Sequence, residues 1–121
     1  SIPVHGDGKN IRDWLYVEDH AKAIDIIFHR GNAGETYNVG GDCEKTNIDL
    51  IRIICNEIDF ILDNQNSSTE LIKFVNDRKG HDFRYAINSD KLQKKLDWEP
   101  ETPFMFGIKE TINWYIKKLK K

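Results

Sequence analysis

Two arginines in predicted loops are the residues of this sequence best suited to bind an anion. Arg12 follows the glycine-rich turn Gly6-Asp7-Gly8-Lys9-Asn10, and Arg78 lies in the run Asp77-Arg78-Lys79-Gly80-His81. Each guanidinium offers parallel N–H donors that match a phosphate group, so two arginines meeting from separate loops would suit a diphosphate. Spacing alone does not show that they meet, and a surface salt bridge is the alternative for each.

Two more polar residues lie where binding residues often gather, at strand ends and helix starts. Asn47 stands at the start of a predicted helix, and His81 is in the segment after a predicted strand. The alternative for Asn47 is a helix cap, and the alternative for His81 is an ordinary loop histidine.

Several chemistry-bearing motifs are absent from the sequence: the phosphate-binding Gly-x-x-x-x-Gly-Lys-Ser/Thr, the metal-binding His-Glu-x-x-His and the nucleophile motif Gly-x-Ser-x-Gly. Gly31-Asn32-Ala33-Gly34 is the nearest match to a dinucleotide fingerprint, but it lies after a predicted helix. A pyrophosphate-binding loop must instead lead from a strand into a helix N-terminus. We therefore predict a helix cap and turn there, with no cofactor-binding or metal-binding residues in this chain.

Length and composition indicate one folded domain spanning residues 1–121. The chain has 39% hydrophobic residues, 18 Lys+Arg and 20 Asp+Glu, giving a net charge of −2. At this length a core forms without disulfides or metals, and Cys43 and Cys55 are expected to be reduced thiols. The charge argues against nucleic-acid binding, and no apolar run approaches the roughly 20 residues that span a bilayer, so we predict neither as a partner.

The chain begins at Ser1, its sole methionine is Met105, and its first residues do not resemble a signal peptide. The sequence is therefore expected to be part of a larger parent, with a segment upstream removed.

The elements that must position the polar residues follow from hydrophobic spacing and turn residues. Strands are predicted over Ile11 to Val17, Glu35 to Val39 and Leu71 to Val75, with a short extended piece over Arg84 to Ile87. Helices are predicted over Glu18 to Arg30, from a cap at Thr46 or Asn47 through Ile61, over Asp90 to Leu96 with Ser89 as its cap, and over Phe104 to Leu119. The fold class is a small mixed α/β domain in which the helices contribute most of the core.

Longer runs of the sequence resemble a known family. The stretch from Pro3 through Gly6-Asp7-Gly8-Lys9-Asn10-Ile11-Arg12-Asp13-Trp14 to Ala21 resembles a signature of the extended short-chain dehydrogenase/reductases that act on nucleotide sugars. Gly34-Glu35-Thr36-Tyr37-Asn38-Val39-Gly40-Gly41 and Asp77-Arg78-Lys79-Gly80-His81-Asp82 are similar to runs in the dTDP-glucose 4,6-dehydratases. The resemblance is collinear from Pro3 to the last helix.

In that family this portion is the smaller C-terminal domain, appended to an NAD-binding Rossmann domain, and the resemblance implies a role for each matched residue. Arg12 and Arg78 would grip the diphosphate of a nucleotide sugar, Asn47 would bond near it, and His81 would close the same loop. The other implied binding residues are Pro3, Val4 and His5, lining the nucleobase and sugar-nucleotide pocket, and Asp77, Lys79 and Gly80 in the loop. Asp13, Trp14 and Tyr16 are expected to hold the strand and turn.

Three positions depart from the family pattern. His5 stands where tyrosine is usual, Lys79 replaces a proline and Phe83 replaces an arginine. A smaller, titratable ring at position 5 would weaken stacking on a nucleobase, so the nucleobase is the least defined part of the prediction.

The resemblance implies a cytoplasmic lyase of carbohydrate biosynthesis, a homodimer in its parent form, in which NAD takes hydride from sugar C4, water leaves across C5 and C6, and hydride returns to C6. The required Tyr-x-x-x-Lys pair is missing from this sequence. We therefore expect no catalytic residues, no NAD binding, no turnover and no strong dimer from this chain alone. The alternatives are another nucleotide-sugar epimerase or dehydratase, and a free-standing, non-catalytic sugar-nucleotide binding module.

Overall fold

The computed structural model describes residues 1–120 as four α-helices and four short strands, with one 3-10 turn, Ser68–Leu71, before the last strand. In chain order the elements are β1 (Ile2–His5), β2 (Ile11–Asp13), α1 (Val17–Arg30), β3 (Glu44–Thr46), α2 (Asn47–Leu62), β4 (Ile72–Val75), α3 (Asp90–Leu96) and α4 (Phe104–Leu119). The predicted mixed α/β class is confirmed. None of the helices within residues 1–120 has the length and apolar character needed to cross a membrane.

The strands form two separate pairs. β1 and β4 are parallel, with His5 opposite Val75, whereas β2 and β3 are antiparallel, with Arg12 opposite Lys45. A single bridge from Ile11 to Arg84 extends the second pair on its other side. Neighbouring parallel strands end at the same edge, so the loops after β1 and β4 lie side by side.

Helices supply the main core, as predicted. Ala23 of α1 packs with Leu92 and Leu96 of α3 and with Trp98, and all four are buried. Beside this cluster lies the buried carboxylate of Asp19, which accepts hydrogen bonds from the backbone N (2.9 Å) and the hydroxyl (3.1 Å) of Thr102. The first turn of α1 is thereby fixed to the segment that leads into α4.

The predicted helices are confirmed, and two of their caps are now defined. Thr46 caps α2, because its Oγ1 accepts a hydrogen bond from the backbone N of Asp49 at 3.1 Å. Ser89 occupies the N-cap position of α3 as predicted, but its side chain makes no capping hydrogen bond, since its hydroxyl instead accepts a hydrogen bond from the backbone N of Gly40 at 2.7 Å. Ser89 therefore joins two loops.

The strand predictions were less accurate. Residues 35–39 are not a strand, because they form no ladder with another described segment. The strand predicted to reach Val17 ends at Asp13, and the piece predicted from Arg84 makes only the one bridge. β1 and β3 were not predicted, because short strands whose pairing is set by distant residues carry little local pattern.

Candidate functional site

The edge where β1 and β4 end brings two of the predicted site segments together. The backbone N of Gly6 donates to the carbonyl of Val75 at 3.0 Å, and the His5 ring Nδ1 donates to the carbonyl of Asn76 at 3.2 Å. Gly6 has φ +64°, and a Cβ built on it would lie 2.9 Å from Cγ of Asp77. The turn after β1 therefore needs a glycine to approach the loop that carries Arg78.

That loop is organised by the Asp77 carboxylate. Its Oδ1 accepts hydrogen bonds from the backbone N of Arg78 at 2.8 Å and from Nδ1 of His81 at 2.7 Å. The other ring nitrogen, Nε2, lies 3.1 Å from Nη2 of Arg78, and Gly80 turns the chain at φ +68°. The loop from Asp77 to His81 is thus a closed hydrogen-bonded unit with the Arg78 guanidinium on its surface.

Arg12 is fastened to the next residue of the same loop. Its Nη2 donates to the carbonyl of Asp82 at 3.0 Å, its Nη1 donates to its neighbour's carbonyl at Ile11 (2.7 Å), and its guanidinium lies 4.8 Å from the centre of the Tyr85 ring. The side chain of Asn10 donates to the same Asp82 carbonyl, also at 3.0 Å. The structure therefore ties both candidate arginines to one segment, which spacing alone did not show.

Asn47 reaches this site through the backbone. Its N–H donates to the carbonyl of Asn10 at 3.0 Å, and the next N–H, that of Ile48, donates to the carbonyl of Gly8 at 2.9 Å. Because Thr46 supplies the cap, the half-buried Asn47 side chain has no hydrogen-bond partner within residues 1–120 and is available to a ligand.

The remaining predicted positions differ in exposure. Pro3, His5, Lys79 and Gly80 are exposed, whereas Val4 is only 3% exposed. The Val4 side chain lies close to Gly8, where a Cβ would be 2.9 Å from its Cγ1. Val4 thus packs inside the described chain, and its side chain does not line an open pocket there.

The residues expected to hold the strand and turn make structural contacts. Asp13 accepts hydrogen bonds from the backbone N–H groups of Gly41 (3.0 Å) and Cys43 (2.8 Å), and the Trp14 indole donates to the carbonyl of Lys45 at 3.3 Å. Tyr16 packs against Gly107 of α4. These contacts hold β2 against the 41–45 segment.

Sequence reasoning missed three residues that shape the site: Asn10, Asp82 and Tyr85. Asn10 is only 6% exposed although polar, and a hydrogen bond with Asp82 raises the pKa of Tyr85 above its ordinary 10.0. Their sequence signal was present, since each lies within four residues of a predicted site residue, but their partners are fixed only by the fold.

A separate groove of about 1220 Å³ lies between α2, α4 and the start of α1. Its ionisable lining is mostly acidic, comprising Glu18, Asp19, Asp42, Glu99, Glu101 and Glu110 with Lys117. Such a lining repels a diphosphate, so the arginine-bearing edge is the better candidate for an anionic ligand.

The contact with His81 can be tested through the titration of the Asp77 carboxyl group at acid pH. The hydrogen bond from His81 lowers the pKa of Asp77 below its ordinary 3.8. A lowered folded-state pKa means that the stabilisation is complete above the ordinary value and is lost as pH falls through the lowered one. We expect the Asp77 carboxyl carbon to titrate by NMR with a midpoint below 3.8 and to move upward in His81→Phe. A midpoint that does not respond to His81→Phe would mean that the ring does not hold the carboxylate.

Comparison with known proteins places this geometry in a family. The family model described as GDP-mannose 4,6 dehydratase matches residues 1–111. The chain belongs to this family. A curated relative in it, the dTDP-glucose 4,6-dehydratase of Shigella flexneri, is 49% identical over 116 residues, covering 96% of this chain and 32% of the relative.

Solved structures of similar proteins share the fold. The dTDP-glucose 4,6-dehydratase of Bacillus anthracis, solved with NAD, is 44% identical with a TM-score of 0.80, covering 98% of this chain and 35% of that one. The Streptomyces venezuelae dTDP-glucose 4,6-dehydratase, solved with NAD bound, is 33% identical with a TM-score of 0.87, covering 97% of this chain and 34% of that one. A UDP-glucose 4-epimerase from Thermotoga maritima, solved with UDP-glucose, is 25% identical with a TM-score of 0.80, covering 98% and 36%. The chain spans about a third of the length of the relatives it matches.

Proposed function

We propose that this chain is the nucleotide-sugar-binding part of a dTDP-glucose 4,6-dehydratase, which converts dTDP-glucose to dTDP-4-keto-6-deoxyglucose with bound NAD. The observation that carries the proposal is the attachment of Arg12 and Arg78 to one loop, through the Asp82 carbonyl and the His81 ring. A sugar nucleotide presents two adjacent phosphates, and two guanidiniums attached to one segment supply matching positive charge and hydrogen-bond donors. The relatives' names favour dTDP-glucose as the substrate.

The other proposed contacts surround the arginines. The exposed His5 ring donates from Nδ1 to Asn76, which leaves Nε2 as an acceptor for a nucleobase or sugar group, with Pro3 beside it. The free Asn47 amide would bond near the diphosphate, and the exposed Lys79 would add positive charge at the rim of the loop.

We propose that NAD is held by another part of the parent protein, where it takes up hydride from the sugar and returns it. The glycines of this chain support this division. Gly31 and Gly34 follow the C-terminus of α1, and Gly6 and Gly8 lie in a turn between β1 and β2. Neither pair leads from a strand into a helix N-terminus, which is the arrangement that cradles a pyrophosphate.

Residues 1–121 would then form one substrate domain of a cytoplasmic, homodimeric parent, covered on one side by an NAD-binding Rossmann domain. Two exposed features support the proposal that another domain covers this side. Ile24 and Phe28 of α1 are 56% and 82% exposed, and residues 35–39 have a strand-like pattern without a strand partner in the described chain. Large exposed apolar side chains commonly mark an interface.

The test is turnover by the complete protein that carries this sequence, given dTDP-glucose and NAD, with UDP-glucose and GDP-mannose as competing substrates. We expect a 4-keto-6-deoxy product from dTDP-glucose and none from residues 1–121 alone. A C4 epimer that keeps its C6 hydroxyl would support the alternative favoured by the epimerase likeness. Binding without turnover by the complete protein would support a binding module, and turnover by the isolated chain would contradict the division of roles.

A further inference from the structure

Asn10 is a buried polar residue at the junction of the turn after β1, the start of α2 and the segment that contains Asp82. Although its side chain is an amide, the residue is only 6% exposed. Its Nδ2 donates to the carbonyl of Asp82 at 3.0 Å, and its own carbonyl accepts the backbone N–H of Asn47 at 3.0 Å. A residue so enclosed offers almost no surface to a ligand, so its contribution to binding must act through its neighbours.

The Asp82 carbonyl links Asn10 to Arg12. Its oxygen accepts Asn10 Nδ2 and Arg12 Nη2 at the same distance, 3.0 Å. A carbonyl oxygen has two lone pairs, so both donors can be satisfied at once. The hydrogen bond from Asn10 is partly buried and the one from Arg12 is exposed. The amide therefore holds the oxygen from within the fold, while the guanidinium uses it from the surface.

We infer that Asn10 is a positioning residue, which sets the orientation of the Arg12 guanidinium by fixing the Asp82 carbonyl. This inference rests on the proposed diphosphate site, in which Arg12 is a ligand. An exposed carbonyl alone would hold the guanidinium weakly, because water competes for both groups. The Asn10 amide restrains that carbonyl, since breaking the contact would leave the buried amide without its partner. Arg12 is then presented to a phosphate in one orientation, and less conformational freedom is lost on binding.

Asn10→Leu separates positioning from packing. Leucine has nearly the shape of asparagine but cannot donate a hydrogen bond, and the backbone carbonyl that accepts from Asn47 is retained. Thr102→Val is the matched control, because it removes one half-buried side-chain donor, to Asp19 at 3.1 Å, outside the arginine site. The readout is the dissociation constant for dTDP in the complete protein, measured by calorimetry, with the free energy of unfolding measured beside it.

We expect Asn10→Leu to weaken dTDP binding about three- to tenfold, as loss of one hydrogen bond does, and Thr102→Val to change it less than about twofold. In an Arg12→Ala background, Asn10→Leu should have less than about a twofold further effect, because the guanidinium to be oriented is gone. An equal effect with and without Arg12 would overturn the inference, since Asn10 would then act on the ligand or on the whole site. Equal effects of Asn10→Leu and Thr102→Val on binding would also overturn it and make Asn10 a stabilising residue only.

A second measurement requires neither nucleotide nor a stable Asn10 variant. In the ¹⁵N NMR spectrum of the complete protein without nucleotide, the Arg12 guanidinium should rotate slowly about its Nε–Cζ bond, so that its two Nη groups give separate signals. A single averaged Nη signal would overturn the inference, because no orientation would be held. In Asn10→Leu the two signals should merge. Signals that merge in this way, in a protein that binds no dTDP, would retain the positioning of Arg12 and reject the proposed function alone.

Discussion

Replacing Arg12 by alanine in the complete protein is expected to weaken binding of dTDP by about tenfold to over a hundredfold. Hydrogen bonds to a charged partner contribute about 1.5–3 kcal/mol each, which corresponds to that range of dissociation constants. Arg12 is suited to this contribution because two carbonyls, those of Ile11 and Asp82, and the Tyr85 ring already fix its guanidinium. Little rotamer freedom is therefore lost when a phosphate binds.

Arg84 supplies a matched control for this substitution. It bridges to Ile11, beside Arg12, but its Nε is 2.6 Å from the Glu44 carboxylate and its side chain is 55% exposed. Its charge is already neutralised by an acid, so Arg84→Ala should change the dissociation constant by less than about twofold. The loop should survive the loss of Arg12, because Asn10 still holds the Asp82 carbonyl. Calorimetry on the three proteins measures the difference, and an unchanged constant in Arg12→Ala would remove Arg12 from the site.

The helices could be predicted from the sequence because their signals are local. The apolar spacing that predicted α2 and α4 repeats within one segment, and both helices form where that spacing predicts them. Residues 35–39 show the limit of that reasoning. Their pattern is typical of a strand, yet a strand exists only when it pairs with a partner, and none of the described segments pairs with them.

The candidate site shows the same division between local and distant information. The types of Arg12 and Arg78 and their loop positions were evident in the sequence. Their attachment to one segment depends on the parallel pairing of β1 and β4 and on the bridge from Ile11 to Arg84, and both join residues that are far apart in the chain. The inward side chain of Val4 and the enclosed ring of His81 were equally invisible, because burial is a property of the fold and not of a motif.

The buried carboxylate of Asp19 leads to the largest expected effect on stability. Asp19 is 2% exposed and accepts two hydrogen bonds from Thr102, and its own carbonyl accepts one from the Trp98 indole at 3.2 Å. Asp19→Ala would leave the half-buried Thr102 N–H and hydroxyl without these partners. Each stranded polar group costs about 1–3 kcal/mol, so the free energy of unfolding should fall by about 2–4 kcal/mol.

Glu18 provides the control, since it is the preceding acid in the same first turn of α1 but is exposed. Both carboxylates complement the helix dipole, so Glu18→Ala removes that contribution alone, about 0.3–1 kcal/mol. Urea unfolding of the complete protein, followed by tryptophan fluorescence, compares the two variants. Similar losses of unfolding free energy in both variants would mean that Asp19 stabilises the protein only through the helix dipole. A selective loss in Asp19→Ala would instead show that a carboxylate joins α1, the Trp98 core and the start of α4 at a position where sequence reasoning recognised only a favourable first-turn acid.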